Sequence, residues 1–308
     1  MKRKYIISID LGGTNIKAAL LSRDFHILHK ETFPTPASSG KKTVINALVS
    51  ASKDIIRNHG ISVVDILGVG IGVPGPVDFY GQVVHFLPNI PGWKKVALSS
   101  IYTSYSGIPC VVDNDAKLMC LAEYRLGAAS GSRNAVCLTL GTGVGAGIII
   151  DGRLYRGADN AAGEIGHMPL NENGPDCPCG GQACLERYVG NNALIRHARS
   201  VFGREVSLEE LSSLASSGDG KAKEFWRKTA EQLSVNLVGL TNALNPDVIV
   251  IGGGVANAGK VLFDEIKSCI HRRAMSVQGK RVKVFKAKLG NDAGLIGAAI
   301  MAVKGAEV

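Results

Sequence analysis

Three cysteines, Cys177, Cys179 and Cys184, crowd into eight residues, and His167 stands ten positions before the first of them. Three soft thiolates and one imidazole form a donor set suited to tetrahedral zinc. Four protein ligands close the coordination shell, which fits a structural ion; a catalytic zinc keeps one position open for water. Structural zinc in small model sites contributes about 10–16 kcal/mol, enough to order a glycine-rich loop of this kind. The chain has seven cysteines, and an even disulfide framework belongs to small secreted domains rather than to a chain of this size. Cys110, Cys120, Cys137 and Cys269 lie inside apolar stretches and read as small buried hydrophobes.

A second kind of chemistry is carried by glycine turns. The string Asp10-Leu11-Gly12-Gly13-Thr14-Asn15-Ile16-Lys17 sets a carboxylate at a strand end, then two glycines, a hydroxyl and an amine. Backbone without side chains can approach a phosphate closely, and a triphosphate fits such a turn. Leu140-Gly141-Thr142-Gly143-Val144-Gly145 repeats the arrangement, and Gly252-Gly253-Gly254 after a strand offers a third close-approach surface, suited to a nucleoside. One such turn alone reads as an ordinary hairpin; two, each with a hydroxyl, point to nucleotide. Other nucleotide folds fit poorly. Gly70-Ile71-Gly72-Val73-Pro74-Gly75 matches a dinucleotide fingerprint, but Pro74 and Pro76 oppose the helix it must open. Each Gly-Lys pair lacks the following Ser or Thr of a P-loop.

Carboxylates flank these motifs: Asp115 after Asn114, Glu164 three residues before His167, and Glu186 two after Cys184. Carboxylates and amides accept or donate the paired hydrogen bonds that a ring of sugar hydroxyls presents.

The elements that must hold these residues follow from hydrophobic pattern. Tyr5 to Asp10 and Ile16 to Leu21 form a hairpin, residues 43–59 an amphipathic helix stopped by Gly60, and Ile66 to Val73 a buried strand. Val83-Val84 reads as a short edge strand between proline-rich loops. A strand near Cys110-Val111-Val112 runs into Asp113, followed by a helix over 115–126. Ala135 to Leu140, glycine turn, then Ala146 to Ile150 echoes the N-terminal hairpin. Ser207-Leu208-Glu209-Glu210 opens a helix with a capping-box pattern. A long helix carries Phe225, Trp226, Leu233, Leu237 and Leu244 on one face until Asn245-Pro246 ends it. A strand over Val248 to Ile251 and helices near 259–275 and 293–304 complete an α/β chain. The echo divides it into a domain of residues 1–113 plus about 293–308 and a larger one of 114–292 carrying the zinc loop.

With 308 residues the chain is long enough for two cores, and a 45% hydrophobic, 20% charged composition excludes disorder. The start Met1-Lys2-Arg3-Lys4 resembles a signal-peptide n-region, but the apolar run after it is too short, and no run reaches the about 18 apolar residues of a membrane span. A cytoplasmic location is expected. The net charge of +9 comes from scattered lysines and arginines with no aromatic-interleaved stripe, so nucleotide phosphates rather than nucleic acid are the expected anion.

Together these strings resemble the ROK family of sugar kinases and sugar-responsive repressors, within the actin-like ATPase superfamily. The resemblance spans the chain: the Asp10 to Lys17 turn, Pro74-Gly75-Pro76-Val77-Asp78, Pro88-Asn89, Asn114-Asp115-Ala116, Leu140 to Gly147, Gly163-Glu164-Ile165-Gly166-His167, Cys177 to Glu186, and Gly252 to Val255. It implies a two-domain actin-like (ribonuclease H-like) fold with an interdomain cleft, and a dimer. ATP, with Mg²⁺, would lie on Asp10, Gly12, Gly13, Thr14, Asn15, Lys17, Gly141, Thr142, Gly143 and Gly252 to Gly254. Sugar would meet Gly75, Asn89, Asn114, Asp115, Glu164, His167 and Glu186, with Asp115 as general base. His167 would serve zinc through one nitrogen and sugar through the other.

Within the family, Glu164-Ile165-Gly166-His167 favours glucose, with fructose and the N-acetylhexosamines as alternatives. A DNA-binding member carries a helix-turn-helix domain ahead of the first turn, and nine residues before Asp10 are too few for one. A silent sugar sensor is the other class of alternative. Three positions depart from the family pattern: Leu87 before Pro88, Ala183 where glycine is usual, and Arg187 after Glu186. A left-handed backbone at Ala183 would cost about 1 kcal/mol.

Overall fold

A computed structural model describes residues 3–78 and 83–304; Met1 and Lys2 of the basic start lie outside them. The chain begins with β1 (Tyr5–Leu11), β2 (Asn15–Ser22) and β3 (Ile27–Pro34), then α1 (Gly40–Asn58), β4 (Ile66–Val73), β5 (Val84–Phe86), β6 (Lys94–Val96), α2 (Leu98–Ser106), β7 (Cys110–Asn114) and α3 (Asp115–Leu126). It continues with β8 (Ala135–Leu140), β9 (Val144–Ile150), β10 (Arg153–Leu154), α4 (Glu186–Val189), α5 (Asn191–Phe202), α6 (Leu208–Ser217) and α7 (Gly220–Leu244). The last elements are β11 (Val248–Gly252), α8 (Lys260–Arg273), α9 (Ser276–Arg281), β12 (Lys283–Lys286) and α10 (Ala293–Lys304).

Contacts divide the chain into two compact units, residues 1–122, 153–162 and 291–308 in the first and 123–152 with 163–290 in the second. By these contacts the first unit runs on to Ala122, where the sequence echo set the expectation at residue 113. The first turns of α3 stay with the first unit because a methyl on Gly297 of α10 would overlap the Leu118 backbone, so the two helices meet at backbone distance. The excursion of residues 153–162 into the first unit has no counterpart in the sequence pattern.

In the first unit the sheet order is β3-β2-β1-β4-β7. β1 is antiparallel to β2 and parallel to β4, and β4 is parallel to β7. β1 and β4 are apolar almost throughout and buried along most of their length, as expected for strands covered on both faces, whereas edge strand β3 alternates between half-buried and exposed residues. Register sets Asp10 opposite Gly72 and Gly72 opposite Asp113, so one row across the carboxyl ends carries two acids flanking a glycine. Ile7, Ile9, Val69 and Ile71 pack with Leu48 and Ile55 of α1 and with Tyr102 of α2. The dinucleotide-like glycines have a packing use: a methyl on Gly70 would overlap the Ala298 carbonyl of α10.

The second unit repeats the plan. β8 is antiparallel to β9 and parallel to β11, which is parallel to β12. Its core joins Val136, Leu138, Ile249 and Ile251 to Trp226, Leu233 and Leu237 on the apolar face of α7. Asn245 ends α7 in the left-handed conformation, φ +47°, with Pro246 barring continuation. Ser207 caps α6 by accepting the Glu210 N–H at 3.1 Å. Among the described residues no helix is long and apolar enough to cross a membrane.

Candidate active site and metal centre

In the first unit the sequence turn after β1 is a tight one. The Gly12 N–H donates to the Asn15 carbonyl at 2.9 Å, and Thr35 braces it by donating its hydroxyl to the Gly12 carbonyl at 2.8 Å and its N–H to the Thr14 carbonyl at 2.8 Å. Asp10 lies 3.8 Å from Lys17 Nζ across the hairpin. Burial raises the Asp10 carboxyl above its usual range, and the Lys17 ammonium offsets part of that. Asn89 meets the turn from another loop, since a Cβ on Gly13 would lie 3.6 Å from its Nδ2.

Asp115 is the first residue of α3, at the carboxyl end of β7, the side on which open α/β sheets bind ligands. A Cβ on Gly72 would sit 3.7 Å from the Asp115 Cα and 3.8 Å from Asp10 Oδ1, so one small residue separates the two acids. Asn114 caps α3: its Oδ1 accepts the N–H groups of Ala116 and Lys117 at 3.1 and 3.2 Å. Its Nδ2 donates to the Gly75 carbonyl at 3.4 Å. Asp10, the turn, Gly75, Asn89, Asn114 and Asp115 therefore share one end of the first unit's sheet.

In the second unit the echo turn closes in the same way, with the Gly141 N–H on the Gly143 carbonyl at 2.9 Å. The Asn191 N–H at the start of α5 donates to the Gly141 carbonyl at 2.8 Å. Gly253 has φ +82°, and a methyl there would overlap Leu140, so only glycine lets β11 leave its strand against the first turn strand. Glu186 accepts the Val144 N–H at 2.9 Å through Oε2, and a methyl on Gly143 would collide with the same oxygen.

His167, Cys177, Cys179 and Cys184 present four ligand atoms that all lie within 4.8 Å of one another. Cys179 Sγ and Cys184 Sγ are 3.6 Å apart, and Cys177 Sγ is 3.8 Å from His167 Nδ1. A tetrahedron with Zn–S bonds of about 2.3 Å has edges of about 3.8 Å, so donor types and spacings both fit zinc. Desolvation and the neighbouring sulfurs of Cys177 and Cys179 push the Cys184 thiol up to about 12, whereas the Gly181 N–H holds Cys179 below its usual value. A bound dication would ionise both. Nδ1 faces the cysteines, and Nε2 lies 4.0 Å from Glu164 Oε2. Ala183 is left-handed, φ +55°, at the position where glycine was the expected residue.

The sequence reading missed a buried cluster behind Asp115. Asp113, Lys117, Arg156 and Asn160 are at most 8% exposed. Arg156 NH1 donates to Asp113 Oδ2 at 2.6 Å and to Asn160 Oδ1 at 2.8 Å. Asp113 ended an apolar strand in the sequence, and only its flanking polar run hinted that its side chain has work inside the fold.

A family model described as ROK family matches residues 6–305. A glucokinase of Streptomyces coelicolor is 33% identical over 96% of this chain and 96% of its own. Among solved structures, a ROK hexokinase from Thermus thermophilus superposes with a TM-score of 0.80 at 35% identity, covering 96% of this chain and 97% of its own. A ROK family glucokinase from Streptomyces griseus, solved in complex with glucose and AMPPNP, superposes with a TM-score of 0.82 at 32% identity, covering 98% of this chain and all (100%) of its own. The fold is the two-domain actin-like α/β fold of these kinases, and the chain belongs to the ROK family.

Proposed function

We propose that the protein transfers the γ-phosphoryl group of MgATP to the primary hydroxyl of an aldohexose, with glucose as the preferred acceptor and glucose 6-phosphate as product. The observation that carries this reading is the single glycine, Gly72, separating Asp115 from Asp10 at the mouth of the phosphate turn. Relatives named glucokinase, one of them holding glucose and AMPPNP, support it.

Asp115 takes the proton of the attacking hydroxyl as that oxygen meets the γ-phosphorus. With a loose transition state little proton transfer precedes bond formation, so placement matters more than basicity. Asp10 and Lys17 face the metal-bound phosphates, and the backbone of Gly12 to Asn15 and of Gly141 to Gly143 cradles them. Gly252 to Gly254 take the nucleoside. Asn89, Asn114 and Gly75 hold sugar hydroxyls, as do Glu164, His167 and the second oxygen of Glu186. Cys177, Cys179, Cys184 and His167 Nδ1 would hold the structural zinc, whose chemistry there is to fix the loop and the imidazole tautomer. His167 Nε2–H is then a donor of fixed direction.

A coupled assay reporting kcat/KM for glucose, fructose, mannose and the N-acetylhexosamines at fixed MgATP tests the reading. Glucose should rank first. Absence of ADP release with every hexose would remove the kinase in favour of a sugar-responsive regulator.

A further inference from the structure

The buried cluster of the first unit has the form of a positioning device. Asp113 receives three donors: Arg156 NH1 on Oδ2 at 2.6 Å, and on Oδ1 the Asn114 N–H at 2.8 Å and Asn160 Nδ2 at 3.2 Å. Asn160 Nδ2 also reaches the carbonyls of Val77 and Asp78, both at 3.1 Å. Lys117 Nζ donates to the Asn160 carbonyl. Asn160 is 1% exposed and holds φ +63°, a backbone state that asparagine tolerates when local bonds repay it.

A buried ion pair is weak evidence for stability, because desolvation offsets its attraction. This one is placed where geometry counts. The carboxylate it anchors is bonded to the main chain of Asn114, which caps α3 and precedes Asp115. Asn160 links the same carboxylate to Val77 and Asp78, two and three residues after Gly75. Two chain segments that carry proposed sugar contacts are thereby tied to one side chain, directly at Asn114 and through Asn160 at Val77 and Asp78, and Arg156 holds that side chain in place.

We propose that Arg156 and Asn160 are positioning residues that hold the β7–α3 junction, and with it Asp115, in register with the Gly75–Asp78 loop; this rests on the kinase reading above. Arg156 acts through Asp113, and Asn160 through Asp113 and the Val77 and Asp78 carbonyls.

The test compares Asn160→Gly, Arg156→Met and Arg156→Lys in the full chain, with glucose and ATP varied separately and glucose affinity measured by calorimetry without nucleotide. Glycine accepts φ +63° without strain, so Asn160→Gly removes the side-chain ties while keeping the backbone. A displacement near 1 Å at a reacting group costs about 10²-fold. Asn160→Gly and Arg156→Met are therefore expected to lower kcat about 10–100-fold, weaken glucose binding, and leave the KM for ATP within about twofold. Because NH1 alone supplies both Arg156 bonds, a lysine ammonium recovers part of the loss. Unchanged kcat and glucose affinity in folded Asn160→Gly would overturn the proposal, as would parallel loss in the KM for ATP, the mark of general loosening. If the wild type transfers no phosphoryl group to any hexose, the kinase reading falls alone, and weakened glucose affinity in Asn160→Gly still supports the positioning role.

Discussion

The Glu186 carboxylate, two residues after Cys184 of the Cys/His cluster, accepts the Val144 N–H at 2.9 Å beside Gly143 of the second glycine turn. One side chain thus fastens the Cys/His loop to the turn assigned to phosphate. Sequence reading gave Glu186 to the sugar alone; one of its two oxygens is already engaged by backbone.

Glu186→Ala should therefore raise KM for both sugar and ATP. A hydrogen bond to a charged group contributes about 1.5–3 kcal/mol, so thermal unfolding should show a loss of that size. Glu186→Gln keeps an acceptor and should retain most of the stability while losing sugar affinity. A KM for ATP unmoved in Glu186→Ala would dissociate the carboxylate from the turn.

Asp115→Asn should lower kcat by about 10²–10⁴-fold with glucose affinity preserved, because the amide keeps the shape and loses the proton acceptor. Rapid-quench kinetics and calorimetry on the same sample separate the two. Near-normal turnover would take Asp115 out of the proton-transfer role.

Burial raises the Asp10 pKa in the folded chain above 3.8, its ordinary value. The folded state then binds that proton more tightly than the unfolded chain does. Ionised Asp10 costs stability above the folded pKa, and the cost fades as pH falls toward the unfolded value. Asp10→Asn should have a higher Tm than wild type at pH 7 without ligand, with the gap shrinking as the pH is lowered toward 4. The same substitution should weaken MgATP binding, since the carboxylate's cost is recovered on a dication. An equal Tm gap at both pH values would contradict this account.

If zinc holds the Cys/His cluster as proposed, a chelator, followed by circular dichroism and glucose calorimetry, should disorder the loop from His167 to Cys184 and weaken glucose binding. Through Glu186 it should also raise the KM for ATP, a wider effect than the loop's proposed sugar contacts alone would give. Metal-free, folded protein with full glucose affinity would refute the link between metal and substrate.

Much of this molecule is legible in its chain. The helix over 115–126, the long helix ended by Asn245-Pro246 and the two hairpins with glycine turns follow from local pattern, and the structure has each of them. The Cys/His cluster is also local: its cysteines fall within one loop, and their chemistry leaves few other readings. The tie between Arg156 and Asp113 spans 43 residues of chain, and neither residue belongs to a motif. Such a contact follows from where β7 and the segment after β10 are set down by the fold, which periodicity does not encode. Gly70 shows the converse: its spacing imitates a ligand motif, while its lack of a side chain serves the approach of α10.

That close approach bears on synthesis. The sheet of the first unit is laid down by residue 114, but the groove over Gly70 is filled only by α10, residues 293–304. Residues 123–290, which contain the whole of the second unit, leave the ribosome before α10 does. The half of the protein made first is the half finished last, and through most of translation its central strands present an apolar face to whatever chaperone meets the nascent chain.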